Sequence, residues 1–389
     1  MGQRERTLED MVNLWRGRRV FLTGHTGFKG GWLALSLARL GSRIRGYALD
    51  PSTEPNFFTV TGVASALEDV RGDLLDRARL DTSLQEFAPE VVFHMAAQPL
   101  VRRSYADPLG TYATNVMGTA HVLEAVRRTP SVRAVVIVTT DKCYENREWV
   151  WPYRETDALG GHDPYSSSKA CAEIVSAAYR SSFFFAPAEG EPRVLLATAR
   201  AGNVIGGGDW SEDRLIPDLI RGFQKREPVL IRRPKAIRPW QHVLEPVHGY
   251  ILLAERLLSG EPQFASAFNF GPGDEVAWTV EQIADHMAAL WGEGASWIRG
   301  DGSGVHEAGT LRLDASKART ELGWRPRLAA AAALDWTLAW YRAQSQGQDM
   351  VEETKRQIEA YPLLKPLLSG NGGTDGPVFT LPASHYNKD

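Results

Sequence analysis

The sequence has little cysteine: Cys143 and Cys171 are the only two in 389 residues. That excludes a disulfide framework and a cysteine-rich metal centre, and it fits a reducing, cytoplasmic setting. No apolar run approaches the roughly 18 residues of a membrane span. The opening stretch, Met1 to Asn13, is polar and of mixed charge, so it is not expected to act as a secretory leader. Nor is there an excess of either charge. A net charge of −3 from 44 basic and 47 acidic residues exerts no general pull on nucleic acid or anionic lipid. Neither a membrane nor a nucleic acid is expected as a partner. His25, His94 and His242 show no metal-ligand spacing, and no metal is expected. What is present is ordinary for a globular protein: 43% hydrophobic and 23% charged residues, in a chain long enough for one large or two smaller cores.

The chain is organised around residues 20–31, VFLTGHTGFKGG. An apolar run leads into Gly24, Gly27 and Gly30, and a helical pattern follows from Trp32 to Leu40. This reads as strand, tight turn, helix. Gly24 permits the turn because it tolerates positive φ. Gly27 lets the backbone approach a pyrophosphate, with Phe28 beside it, and Gly30 lets the helix pack close to the strand. The helix N-terminus then offers free N–H groups to phosphate. Asp50 ends a second strand, 44–48, twenty residues past Gly30. That is the distance at which a carboxylate meets the adenosine ribose. An acid there favours NAD, although Arg43 and Arg45 lie nearby.

A third strand, 69–71, leads to Asp73 and Leu74, and a fourth, 91–95, leads to Ala96 and Ala97. Small residues at that strand end leave room for a cofactor. A long helix is expected over 108–128, with Asn115 inside it, then a fifth strand, 135–138, a helix from about Asp163 and a sixth strand, 194–199. Strands alternating with helices argue an α/β fold with a doubly wound parallel sheet of Rossmann type. Beyond Arg200 the pattern loosens, with helices expected over 215–224, 247–258, 280–290, 315–322 and 328–341. The expected division is a dinucleotide domain over 1–200, with a helical lead-in to residue 17. A smaller mixed substrate domain over 201–345 is interleaved with the sheet. A C-terminal extension over 346–389 is expected to be flexible from about 370.

Tyr165 and Lys169 are spaced i, i+4, so one helical turn puts them on one face. A lysine ammonium beside a phenol is expected to lower the phenol's pKa. Such a tyrosine takes a proton from a sugar hydroxyl while hydride leaves for nicotinamide. With the glycine turn, Asn115 and Thr140, this sequence resembles the extended short-chain dehydrogenase/reductases. Within them it is similar to the CDP-glucose 4,6-dehydratases. The stretches that carry the resemblance are 24–32 (GHTGFKGGW), 140–149 (TDKCYENREW), 160–170 (GGHDPYSSSKA), 202–210 (GNVIGGGDW) and 237–243 (IRPWQHV).

The resemblance implies NAD as the cofactor and CDP-glucose as the substrate. It implies a triad of Thr140, Tyr165 and Lys169, with Lys169 also on the nicotinamide ribose and Asn115 supporting the active end of the sheet. Asp141 would be the general acid for the departing 6-hydroxyl. Lys142 stands where the other dehydratases keep their C5 base, and its role as base or as electrostatic stabiliser stays open. Asn203, Arg214 and Arg238 are the candidates for the diphosphate. Arg232, Arg233 and Lys235 read mostly as a solvated loop, and Cys143 as a small buried filler. The family's assembly implies a homodimer or a dimer of dimers, through helices at about 108–128 and 165–181. A dehydratase for another nucleotide sugar or an epimerase, and a non-catalytic NAD-binding regulator, are the rival readings.

Overall fold

The computed structural model describes residues 8–184, 194–273, 277–300 and 309–363. The first half of the chain alternates strand and helix. It runs α1 (Leu8–Trp15), β1 (Arg19–Thr23), α2 (Phe28–Arg39), β2 (Arg43–Ala48), α3 (Phe57–Val60), β3 (Glu68–Arg71), α4 (Arg77–Phe87) and β4 (Val91–His94). It continues with α5 (Val101–Ala106), α6 (Pro108–Tyr112), α7 (Gly118–Arg127), β5 (Ala134–Val138), α8 (Pro164–Tyr179) and β6 (Leu195–Ala201). The rest is more mixed: β7 (Asn203–Ile205), α9 (Leu215–Lys225), β8 (Val229–Ile231), β9 (Trp240–His242), α10 (Leu244–Leu258) and β10 (Ala267–Phe270). After these come α11 (Val280–Trp291), β11 (Trp297–Arg299), α12 (Ala330–Ser345) and α13 (Met350–Ala360).

Seven strands form one sheet in the order β10-β6-β5-β4-β1-β2-β3, and each neighbouring pair is parallel. Helices cover both faces, so the central strands are apolar throughout; all five residues of β5, AVVIV, are buried. Successive side chains feed opposite cores. Val20 and Leu22 pack with Trp32, Val136 and Trp340, whereas Phe21 packs with Leu123, Val92 and Val135. From β1 the chain moves to β2 on one side and later returns to β4 on the other. The crevice for a ligand therefore opens at the C-terminal ends of β1 and β4.

Some elements differ in detail from the sequence expectation. The helix expected over 108–128 is present as one continuous run through α6 and α7, with Asn115 inside a wide turn over Ala113–Met117 that joins them. Asp107 caps its start by accepting from the Gly110 N–H at 2.9 Å. The helix expected over 315–322 spans 316–322 and closes in a wide turn, Ala318–Leu322, ended by Gly323 at φ +75°. β10 escaped the reading because four residues at the sheet edge carry too little period to stand out. The Gly-rich tail expected to be flexible from about 370 lies outside the described residues.

An aromatic stack fastens α12 to the first half of the chain. Trp32 stacks on Phe57 at 5.2 Å, and Phe57 on Trp340 at 6.3 Å. The Trp32 indole donates to the Gly207 carbonyl at 3.0 Å. Gly207 passes so close that a Cβ there would lie 2.0 Å from Trp340 Cγ. Gly207→Ala is therefore expected to cost about 1–3 kcal/mol through overpacking. The urea midpoint checks this, and an unchanged midpoint would contradict it. The same loop carries Asp209 into the site.

Candidate active site

The glycine turn is built for close approach. Gly24 sits at φ +80°, and a Cβ there would meet Ala96 N at 2.6 Å, so the chain leaving β4 crosses directly over it. A Cβ on Gly30 would lie 2.0 Å from the Gly24 carbonyl oxygen, which fixes how tightly α2 packs on β1. Gly27 is exposed and caps α2 in an extended conformation with no side-chain acceptor. The first N–H groups of α2 thus face the crevice with the positive end of the helix dipole behind them. Asp50 is 88% exposed beyond β2, with Arg71 Nη1 3.4 Å away. Asp73 is exposed beyond β3 and accepts from the Leu75 N–H. An open anion mouth with exposed acids beyond the next strands fits a dinucleotide with free ribose hydroxyls.

Leu74 and Asn115 serve this end indirectly. Leu74 is buried against Gly118, and its carbonyl accepts from His121 at 2.9 Å. Asn115 accepts from the Gln98 N–H at 2.8 Å and donates to the Gln98 carbonyl at 3.1 Å and to Ser168 Oγ at 2.9 Å. It ties the loop after β4 to α8, with its amide group spent on protein partners.

The chemical end lies on the turn after β5 and the first turns of α8. Asp163 caps α8 by accepting from the Ser166 N–H at 2.9 Å, and Pro164 follows at the first helical position. That cap sets the helix phase, so Tyr165 and Lys169 both turn inward and are buried. Lys169 Nζ donates to the Val138 carbonyl at 3.1 Å. Thr140 accepts from the Lys142 N–H at 3.4 Å, which caps the turn, and donates to Asp141 Oδ1 at 2.9 Å. Asp141 is fully buried. Lys142 Nζ lies 3.7 Å from Oδ1, and Oδ2 has no partner among the described residues.

The electrostatics correct one expectation. The Tyr165 phenol is pushed up to about 12, not down: burial is the largest cause, and hydrogen bonding to Thr140 and the charge of Arg214 oppose it only in part. Lys169 is itself brought down to about 8 by burial, against which Glu173 pulls up. Desolvation of the phenol outweighs the favourable cations nearby. Glu173 stands one helical turn beyond Lys169. It accepts from Thr139 at 2.5 Å, Thr198 at 2.7 Å and Arg200 at 2.8 Å. The sequence reading missed it, although Tyr165, Lys169 and Glu173 fall at one spacing of four.

A pocket of about 670 Å³ joins these groups to the second half of the chain, lined among others by Lys29, Lys142, Tyr165, Asn203, Arg214 and Arg238. Asn203 starts β7, which pairs with β9, and its buried Oδ1 has no partner among the described residues. Arg214 is held by Asp209 at 2.8 Å. Arg238 donates to the carbonyls of Ile237 at 2.9 Å and Gly309 at 3.2 Å. Arg232 and Arg233 are a correction: they line the pocket instead of standing in solvent. Arg102 and Arg232 flank Asp213 at 3.2 and 3.5 Å, while Lys235 pairs with Glu281. Sequence reading also missed Arg102, Asp209 and Lys29. A lysine at the start of a helix, where the dipole disfavours it, was the available signal for Lys29.

The remaining candidates are structural. His25 hydrogen-bonds Asp69 at 2.9 Å, His94 bridges Thr23 and Thr119, and His242 is buried. Cys143 is fully buried and its thiol is pushed well up by burial, as suits a filler. No described helix is long and apolar enough to cross a membrane.

Residues 21–335 match the family model described as GDP-mannose 4,6 dehydratase. The CDP-glucose 4,6-dehydratase of Salmonella typhimurium is 52% identical over 349 residues, covering 90% of this chain and 97% of that protein. Among solved structures, the epimerase Mth375 of Methanothermobacter thermautotrophicus superposes with a TM-score of 0.75 at 22% identity, over 87% of this chain and 96% of that one. The DesIV double mutant of Streptomyces venezuelae, a dTDP-glucose 4,6-dehydratase with NAD bound, gives 0.71 at 23% identity, over 86% and 99%. The glycine turn, the Thr140–Tyr165–Lys169 set and these matches agree: the chain belongs to the extended short-chain dehydrogenase/reductases and, within them, to the CDP-glucose 4,6-dehydratase family.

Proposed function

We propose that the protein converts CDP-glucose to CDP-4-keto-6-deoxyglucose in the cytoplasm, with NAD held throughout. The observation that carries this reading is Asp141, a buried carboxyl group with one oxygen that has no partner among the described residues, set between Thr140 and Lys142. An alcohol oxidation or an epimerisation needs only the tyrosine and its lysine. A group able to protonate a leaving hydroxyl is what elimination adds.

When bound, NAD would supply the hydride acceptor for C4 and the hydride for C6. The α2 mouth would hold its pyrophosphate, Asp50 its adenosine ribose and Lys169 its nicotinamide ribose. Tyr165 takes the proton of the 4-hydroxyl, which Thr140 orients. The resulting ketone acidifies the C5 proton. Asp141 Oδ2 gives a proton to the 6-hydroxyl as it leaves as water. Arg214, Arg238 and Asn203 bind the diphosphate region, where forked guanidinium donors suit phosphate. A panel of nucleotide-glucoses tests the reading. CDP-glucose is expected to give a 4-keto-6-deoxy product, while a C4 epimer formed without loss of water would overturn it.

The assembly follows from surface chemistry. Val122, Leu123 and Val126 are spent on the sheet, with exposures of 0, 0 and 1%. On the neighbouring helices Leu109, Met117 and Ile174 are 80, 51 and 57% exposed. Large exposed apolar residues on adjoining elements support an interface, which a second copy of the same face would close about a twofold axis. The protein is expected to sediment as at least a dimer at micromolar concentration. Ile174→Glu combined with Leu109→Glu is expected to give the monomer mass. A wild-type monomer would overturn this assignment.

A further inference from the structure

Two lysines, Lys29 and Lys142, line the pocket. Lys142 lies 3.7 Å from Asp141 Oδ1. Lys29, at the second position of α2, has no hydrogen bond or ion pair among the described residues. It lines the same cavity as Thr140, Tyr165 and Lys142. The charged groups bearing on it are Arg214 from the loop before α9, Lys169 from α8, and Asp141 and Lys142 from the turn after β5. Three of those four are cations. The N-terminal end of the α2 dipole adds further positive potential.

We infer that Lys29 is the base that removes the C5 proton, while Lys142, beside Asp141, steadies the enolate. This rests on the 4,6-dehydratase reading and assigns a step that the reading left open. The neutral amine takes the proton from C5, and the C–H electron pair becomes the C4–C5 double bond of the enolate, with negative charge on the C4 oxygen. That charge then collapses to form the C5–C6 double bond as the 6-hydroxyl departs with the Asp141 proton. When hydride returns to C6, the Lys29 ammonium gives its proton back to C5. The C5 proton returns from Lys29, and the proton that Tyr165 takes from the 4-hydroxyl restores the one Asp141 gives to the departing water, so no further reagent is needed.

The electrostatics agree with the geometry. Burial first, then Arg214 and Lys169, bring Lys29 down to about 7, with Asp141 opposing them. A general base works best when it titrates near the operating pH, and crowding by other cations is an established way to free an amine. The pocket's arginines already supply fixed cations for phosphate, and they do so without losing charge.

Three variants of the full enzyme test the assignment: Lys29→Met, Lys29→Arg and Lys142→Met. Binding of CDP measured by calorimetry and the unfolding midpoint serve as folding controls. With CDP-glucose in deuterium oxide, both Lys29 variants are expected still to reduce the bound cofactor. Both should lose deuterium incorporation at C5 and product formation by about 10²–10⁴-fold. Labelling with an amine reagent, followed by peptide mapping, should show Lys29 reacting with a midpoint near pH 7. Normal turnover by Lys29→Arg would overturn the proposal, since charge alone would then suffice. So would CDP binding weakened tenfold with C5 exchange intact, which marks a phosphate anchor. Loss of exchange in Lys142→Met with exchange kept in Lys29→Met would give the role to Lys142. If the wild-type enzyme makes no 4-keto product from any nucleotide-glucose, the dehydratase reading itself fails, whatever the labelling midpoint.

Discussion

Tyr165→Phe is expected to lower turnover of CDP-glucose by about 10²–10⁴-fold and to leave the bound cofactor oxidised when substrate is added. The phenol is the group that accepts the 4-hydroxyl proton, and phenylalanine fills the same space without it. Burial holds the Tyr165 phenol at about 12, while Thr140 and Arg214 pull the other way. A base titrating that high is almost wholly protonated at neutral pH. Its active form grows as pH rises, so the oxidation step in the wild-type enzyme should speed up between about pH 6 and 9. Stopped-flow absorbance of the reduced cofactor measures that step directly. A pH-independent or falling rate would argue that another group takes the proton, as would cofactor reduction at the wild-type rate in Tyr165→Phe.

The parts of this site that sequence reveals are those with local signatures. The glycine turn is legible because strand, turn and helix are consecutive, and each glycine answers a distinct steric demand. Tyr165 and Lys169 are legible because one helical turn joins them. The groups that escaped are set by contacts between distant segments. Glu173 matters through Arg200, Thr139 and Thr198, which come from other strands. Asp209 matters through Arg214 and through a loop whose path is fixed by Trp340. The upward shift of Tyr165 is a property of burial, which no spacing of residues encodes; the neighbouring lysine pointed to the opposite sign. The fold was readable for the same reason as the triad: buried parallel strands are written as short apolar runs. β10 was not, since it is only four residues long; nor was the wide turn over Ala113–Met117, whose flanking residues are helical on both sides.

Asp141→Asn is expected to separate oxidation from elimination. The substitution keeps the size of a side chain that is fully buried, and the amide can still accept from Thr140 as Oδ1 does. What it removes is a proton that can be delivered from Oδ2, the oxygen without a partner among the described residues. Tyr165 and Lys169 are untouched, so C4 oxidation should proceed. The 6-hydroxyl then has to leave unassisted, at a cost of about 10²–10⁴ in rate. Reduced cofactor should therefore accumulate on the enzyme together with a 4-keto-glucose nucleotide that keeps its 6-hydroxyl. Deuterium from solvent should still enter C5, because the base that opens that bond is a separate group. The variant thus differs from Tyr165→Phe in cofactor absorbance and from the Lys29 variants in C5 exchange. Normal turnover by Asp141→Asn, or a block of cofactor reduction as complete as in Tyr165→Phe, would remove Asp141 from the elimination step.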